Sequence, residues 1–363
     1  MVVSAKVLTF CLLSVCLVSL AACGTSTGIA GAATNSSGSA GLSYGPSPSS
    51  SLATYTQTGN TEPVHDPSII REASTWYSFT SDNLSQISNG FLPVRCSQDK
   101  VNWTVCGTVF QKMPAWITAK VPGALCLWAP DISYFNGLYH LYYAVSTTGS
   151  QLSVIGLATT ATLDASDPNY RWVDQGEVLG SQKGNDFNAI DPNILVDTDG
   201  SVWLTYGSYW SGIKQREIDP ATGQLSASNT TRYDLATRPG VSGDPIEGSS
   251  LAHYGDYYYL FVSVDFCCNS NPATDNYKEA VGRSASPHGP FLDMQGTPMM
   301  QGGGTVILQG NGTWNAPGGG TVYVDETSQE SLIVFHALQM SQNATPHLWV
   351  KDIAWQNGWP VVQ

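Results

Sequence analysis

Five short segments of the sequence read alike and recur at intervals of 56 to 72 residues. They are Val64-His65-Asp66-Pro67-Ser68-Ile69, Trp128-Ala129-Pro130-Asp131-Ile132, Ala189-Ile190-Asp191-Pro192-Asn193-Ile194, Pro245-Ile246-Glu247-Gly248-Ser249 and Ala316-Pro317-Gly318-Gly319-Gly320-Thr321. Each is followed 8 to 13 residues later by an aromatic and β-branched run, such as Tyr139-His140-Leu141-Tyr142-Tyr143 or Tyr257-Tyr258-Tyr259-Leu260-Phe261. Intervals of that size hold four short antiparallel strands. No long helical periodicity interrupts them, and turn residues return every 8 to 12 positions. The pattern predicts an all-β chain folded as a five-bladed β-propeller.

In a propeller the first strand of each blade lines the central channel, so residues about 60 positions apart converge on one funnel. Four of the five segments carry an acid, Asp66, Asp131, Asp191 and Glu247, which the sequence places at equivalent positions. Asp-Pro and Asp-Gly also punctuate strand starts for purely local reasons. Four carboxylates in register point instead to a site, because crowding pushes their pKa values apart and leaves one acid protonated while another is ionised.

The balance of 28 acidic to 15 basic residues argues against nucleic acid or another polyanion as partner. A neutral ligand fits better. Eleven Trp and 17 Tyr supply faces that stack on sugars, although most must form blade cores. A monomer is expected.

Residues 1–22 read as an export signal: Lys6 precedes an apolar stretch from Val7 to Leu20, too short to span a membrane comfortably. Leu20-Ala21-Ala22-Cys23 resembles a bacterial lipobox, which makes Cys23 a lipid anchor and the chain a membrane-tethered lipoprotein. Plain secretion after cleavage near the Ala pair is the alternative. Residues 23–59 are rich in Gly, Ser, Thr and Ala with almost no charge, and are read as a flexible tether. Residues 60–363 then form the single folded domain.

Outside the export segment lie Cys96, Cys106, Cys126, Cys267 and Cys268, an odd number. Cys96 and Cys106 flank a hairpin and can bridge it, and the adjacent Cys267 and Cys268 can form a vicinal disulfide. Zinc-ribbon spacing is absent, and no metal site is expected.

The ordered motifs resemble glycoside hydrolase family 43, and within it the endo-1,5-α-L-arabinanases. The resemblance runs from His65-Asp66-Pro67-Ser68-Ile69 through Leu127-Trp128-Ala129-Pro130-Asp131-Ile132, Asn188-Ala189-Ile190-Asp191-Pro192-Asn193, Gly207-Ser208-Tyr209-Trp210 and Ile246-Glu247-Gly248-Ser249. It ends at Gly358-Trp359-Pro360-Val361-Val362. It implies Asp66 as general base, Glu247 as general acid, and Asp191 as the carboxylate that orients the acid and raises its pKa by like-charge repulsion. Inversion then needs base and acid roughly 6.5–9.5 Å apart, leaving room for a water. It makes Asp131 a structural or substrate-contacting residue; by position, Trp128 is a stacking platform or a core residue, Asn188 and Ser208 can donate to sugar hydroxyls as substrate contacts, and His65 can orient the base. The other histidines receive no role.

One position departs from the resemblance. The arabinanases carry a His after a Gly-Pro-Gly turn in the fifth blade, where it helps hold a metal ion. Gly319 stands there in this chain. A hard cation such as Ca²⁺ would have lost its imidazole ligand, and no cofactor is expected to be required. The leading expectation is an exported hydrolase of α-1,5-arabinan. An exo-acting α-L-arabinofuranosidase or β-xylosidase is the second reading, and a non-catalytic tethered sugar-binding propeller the third.

Overall fold

The computed structural model describes residues 41–363, apart from 47, 84–88 and 270. The export signal, Cys23 and the first part of the expected tether lie outside the described residues. The rest is a five-bladed β-propeller. Blade 1 comprises strands Ser68–Glu72, Thr75–Phe79, Phe91–Ser97 and Asn102–Phe110, and blade 2 Trp128–Phe135, Leu138–Val145, Ser153–Thr160 and Val173–Ser181. Blade 3 comprises Asn193–Val196, Val202–Tyr206, Ile213–Ile218 and Tyr233–Ala236. Blade 4 comprises Ile246–Tyr254, Tyr257–Val264, Lys278–Ser284 and Thr305–Gln309, and blade 5 Trp314–Asp325, Glu330–Gln339, Thr345–Gln356 and Trp359–Val362. Each is an antiparallel meander, as short connections between consecutive strands dictate.

The second strand of each blade is buried on both faces, which is why Leu138–Val145 and Val202–Tyr206 are apolar almost throughout instead of alternating. Neighbouring blades bury those faces against one another. Phe79, Leu92, Leu141 and Tyr143 fill the gap between blades 1 and 2, and Phe135, Tyr142, Leu157 and Leu204 that between blades 2 and 3. At the ring seam Ile69 packs with Trp76, Trp103, Leu332 and Val350 between blades 5 and 1.

Five left-handed residues set the inner strands. Asp66, Ala129, Asp191, Gly248 and Gly319 have φ of 47°, 42°, 53°, 56° and 60°, one per blade. Two residues after each stands a polar side chain, and three of these bond to the backbone of the next blade. Asp131 Oδ2 accepts from Ile194 N–H at 2.8 Å, Asn193 Oδ1 from Leu251 N–H at 2.8 Å, and Ser250 Oγ from Val322 N–H at 3.0 Å. This backbone register corrects the placement of the four acids. Asp66 and Asp191 are equivalent, but Asp131 lies two residues further on and Glu247 one residue earlier.

The stretch read as a tether is corrected over its described part. All four strands of blades 1 and 5 come from their own sequence segments, so no shared strand closes the ring. Residues 43–59 run across that seam instead. Ser43 and Tyr44 pair in parallel with Thr305 and Val306 of blade 4, and Thr58 and Gly59 with Asn102 and Trp103 of blade 1. Between them Leu52 is buried in the core of blades 4 and 5, and Tyr55 packs on Trp314 and Trp349. Ser51 Oγ donates to Val362 O at 3.0 Å, and Gln57 Nε2 to Val350 O at 3.2 Å. Gly59, at φ 84°, lies so close to the Trp103 carbonyl that no Cβ fits. Average composition hides such a strap because a few apolar anchors carry it.

Removal of residues 1–59 should therefore lower the thermal midpoint, whereas removal of 1–40 should leave it unchanged. Leu52→Ala, in the longer chain, should cost about 3 kcal/mol in denaturant unfolding. Equal midpoints for the two truncations would show that the strap does not hold the seam.

Candidate active site

The five inner strands open into a cleft of about 1040 Å³ whose floor holds Asp66, Asp191 and Glu247 together. Asp66 and Asp191 stand at the left-handed positions of blades 1 and 3, a conformation that Asp tolerates better than most residues. Glu247 precedes the left-handed Gly248 of blade 4.

Each acid has different partners. Asp66 Oδ2 accepts from Ser81 Oγ at 2.6 Å, and Ser81 Oγ accepts in turn from Ala129 N–H at 2.7 Å. The Asp66 side chain is 35 % exposed, open to the cleft. Glu247 is held at both oxygens, Oε2 by Ser208 Oγ at 2.6 Å and Oε1 by Tyr277 Oη at 2.8 Å. Asp191 Oδ2 accepts from Gly248 N–H at 3.0 Å, which fixes it against the residue after Glu247.

Electrostatics divide them further. Burial raises the pKa of Glu247, the Ser208 and Tyr277 hydroxyls oppose the rise, and the charge of Asp66 adds to it. Asp191 is raised well above the ordinary carboxylate range, by burial first and then by the charges of Glu247 and Asp66. Like-charge repulsion, expected to keep Glu247 protonated, is thus secondary to desolvation. Asp191 and Glu247 titrate as a pair.

Of the expected substrate contacts, Trp128, Asn188 and Ser208 line the cleft. Asn188 is buried, with Oδ1 accepting from Ser153 Oγ at 2.7 Å. Ser208 is spent on Glu247. Asp131 is not in the cleft. It is 3 % exposed, lines a separate cavity along the channel, and binds Asn193 Nδ2 at 3.0 Å as well as the Ile194 amide. Its expected substrate role is corrected to a link between blades 2 and 3.

His336 and Tyr277, to which the sequence assigns no role, are central. His336 is 1 % exposed, and its Nδ1 accepts from Asp66 N–H at 3.3 Å while Nε2 faces Cys267 Sγ at 3.7 Å. Its ring lies 4.6 Å from that of His65. Burial drives the pKa of His336 well below the usual imidazole value and lowers that of His65. Both sit neutral. Each occurs inside an ordinary-looking strand or flank, and no local signal marks His336.

Blade 5 approaches this wall through three glycines. A Cβ on Gly318 would overlap the Tyr277 ring, one on Gly320 would lie 2.5 Å from Glu279 Oε1, and one on Gly319 would lie 2.5 Å from Asp66 Oδ1 and 3.0 Å from His336 Nδ1. A hard cation held by an imidazole at position 319 does not fit this arrangement. Gly319 has no side-chain ligand atom, the space of its side chain is taken, and the nearest imidazole nitrogen, His336 Nδ1, already accepts the Asp66 N–H.

Comparison with known proteins agrees with this geometry. The sequence profile of glycosyl hydrolases family 43 matches residues 61–360. The chain belongs to this family. It is 38 % identical over 300 residues to the extracellular endo-α-(1→5)-L-arabinanase 1 of Bacillus subtilis (strain 168), covering 82 % of this chain and 87 % of the relative. It is 36 % identical over 309 residues to the extracellular exo-α-(1→5)-L-arabinofuranosidase ArbA of Cellvibrio japonicus (strain Ueda107), covering 82 % and 86 %. The solved GH43 endo-arabinanase from Bacillus licheniformis superposes with a TM-score of 0.76 at 39 % identity, over 85 % of this chain and all of that one. Family 43 membership makes the chain a glycosidase.

Asp131→Asn tests the correction. Burial pushes the Asp131 carboxyl up to about 7. Since the folded state then binds the proton more tightly than the unfolded one, Asp131 makes stability fall as pH rises from about 4 through 7. The variant should lose that part of the slope and keep its KM for substrate. A large rise in KM with an unchanged stability profile would return Asp131 to the substrate site.

Proposed function

We propose that this chain cleaves α-1,5-linked L-arabinan by a single inverting displacement. The observation that carries the reading is the unequal setting of three acids in one cleft: Asp66 open to the cleft, and Glu247 buried, doubly hydrogen-bonded and paired with Asp191. Asp66 acts as the base. Ser81 holds one carboxylate oxygen and leaves the other free for a water, which attacks the anomeric carbon as Asp66 takes its proton.

Glu247 acts as the acid. Burial raises the proton affinity of the Asp191–Glu247 pair, and Glu247 passes a proton to the departing glycosidic oxygen. Asp191 stays within the pair as a positioning residue and reservoir of proton affinity. Trp128 offers a flat face to a furanose at the cleft wall, and Tyr209 and Trp210 line the other side.

The arabinan assignment is supported by the two relatives' names, one endo-acting and one exo-acting. Endo action is the reading preferred here. Products from linear arabinan decide it, since mixed oligosaccharides follow from endo cleavage and a single short product from exo cleavage. Export and a lipid anchor at Cys23 belong to the same proposal, with the relatives' extracellular names in their support.

Glu247→Gln should lower kcat/KM on arabino-oligosaccharides by about 10²–10⁴-fold, but far less on an aryl arabinofuranoside whose leaving group needs no proton. Asp66→Ala should lose a similar factor on both substrates, because water activation is needed whatever leaves. Equal losses for Glu247→Gln on the two substrates would remove it from the acid role.

A further inference from the structure

Beside the acids, on the wall behind Asp66, four side chains remain without a part in hydrolysis. Cys267 and Cys268 form a vicinal disulfide. One nitrogen each of His65 and His336 and the sulfur of Cys268 all lie within 4.8 Å of one another, and Cys267 Sγ is 3.7 Å from His336 Nε2. All four residues line the cleft, so a small reagent or ion reaches them from solvent. Cys268 Sγ and two imidazole nitrogens close enough to share one ion, with Cys267 Sγ beside one of those imidazoles, are a soft donor set.

We propose that His65, His336, Cys267 and Cys268 form a binding site for a soft divalent cation of the Zn²⁺ class, opened by reduction of the vicinal disulfide, and that filling it shuts off Asp66. The site is distinct from the hard-cation position that Gly319 leaves without a ligand. A phosphine reductant supplies two electrons and leaves as its oxide, with oxygen from water, and the disulfide becomes two thiols. Metal binding then releases both thiol protons to solvent.

The link to Asp66 runs through a tautomer. In the disulfide form Nδ1 of His336 accepts the Asp66 N–H, so Nε2 carries the proton and faces sulfur. A cation on Nε2 moves that proton to Nδ1. There it opposes the Asp66 N–H and turns toward Asp66 Oδ1, 3.7 Å away. The carboxylate then accepts a new hydrogen bond where it must accept a proton from water. Only this shut-off rests on the proposed arabinan hydrolysis; the site itself does not.

The test uses the full folded chain, reduced with a phosphine, freed of reagent without air, and titrated with Co²⁺. One equivalent should give thiolate-to-cobalt charge-transfer absorption and intense tetrahedral d–d bands, displaced stoichiometrically by Zn²⁺. The untreated protein should give neither. At one equivalent of Zn²⁺, arabinan hydrolysis by the reduced protein should fall about a hundredfold and return with a chelator. Cys96 and Cys106 form the second disulfide among the described residues, and a Cys96→Ala/Cys106→Ala variant should keep the spectrum, which removes that bridge as its source. Bands that persist in Cys267→Ser/Cys268→Ser, or cobalt bound without a thiolate band, overturn the site. A full spectrum with undiminished hydrolysis overturns the shut-off. Absence of hydrolysis in the untreated protein would instead overturn the arabinan reading, while the cobalt spectrum still decides the site.

Discussion

Each inner strand turns into the channel through one residue in the left-handed region, and this backbone requirement governs what stands in the funnel. Left-handed φ is cheap for Gly, tolerable for Asp and strained for most other residues. Four of the five positions are accordingly Asp66, Asp191, Gly248 and Gly319, and Ala129 is the exception. Where Asp is used, the turn itself presents a carboxylate to the cleft. Where Gly is used in blade 4, the acid moves back one residue to Glu247. The polar side chain two positions later ties three of the blades to their successors through backbone amides. Placement of the cleft acids and ring assembly are therefore set by the same few residues.

Blade 4 presents a polar row to blade 5, Tyr277, Ser263 and Glu279, and only a glycine run can lie against it. Ser263 Oγ donates to Glu279 Oε1 at 3.0 Å and accepts from Gly319 N–H at 2.9 Å, while Gly320 N–H donates to the same Glu279 oxygen at 2.7 Å. This gives Gly319 a structural meaning beyond a lost ligand. Within blade 4 Tyr277 reaches Glu247, and across the ring seam His336 of blade 5 reaches Asp66 of blade 1. Desolvation by burial, more than mutual repulsion among acids, raises the proton affinity of the Asp191–Glu247 pair.

The propeller was legible because its repeat is written in the sequence at blade spacing, and the three cleft acids because they fall at strand starts. Asp131 was misplaced for a definite reason. Counting acids near Pro does not see the left-handed residue that sets register, and by that measure Asp131 aligns with Asn193 and Ser250. The strap over residues 43–59 escaped because Leu52 and Tyr55 are diluted by Gly, Ser and Thr, and their partners lie some 200 or more residues away. His336 and Tyr277 escaped because each fits the surrounding strand pattern. Their importance comes from which blade faces which, and that is known only once the ring is closed.

The proposed hydrolysis requires Asp66 and Glu247 to act from opposite sides of the scissile bond without a covalent intermediate. The anomeric configuration of the first-formed product, followed by proton NMR before mutarotation, tests this most directly. Cleavage of the α-linked chain should release the β-anomer first. Initial appearance of the α-anomer would mean a double displacement through a nucleophile, and would contradict the roles given to both residues.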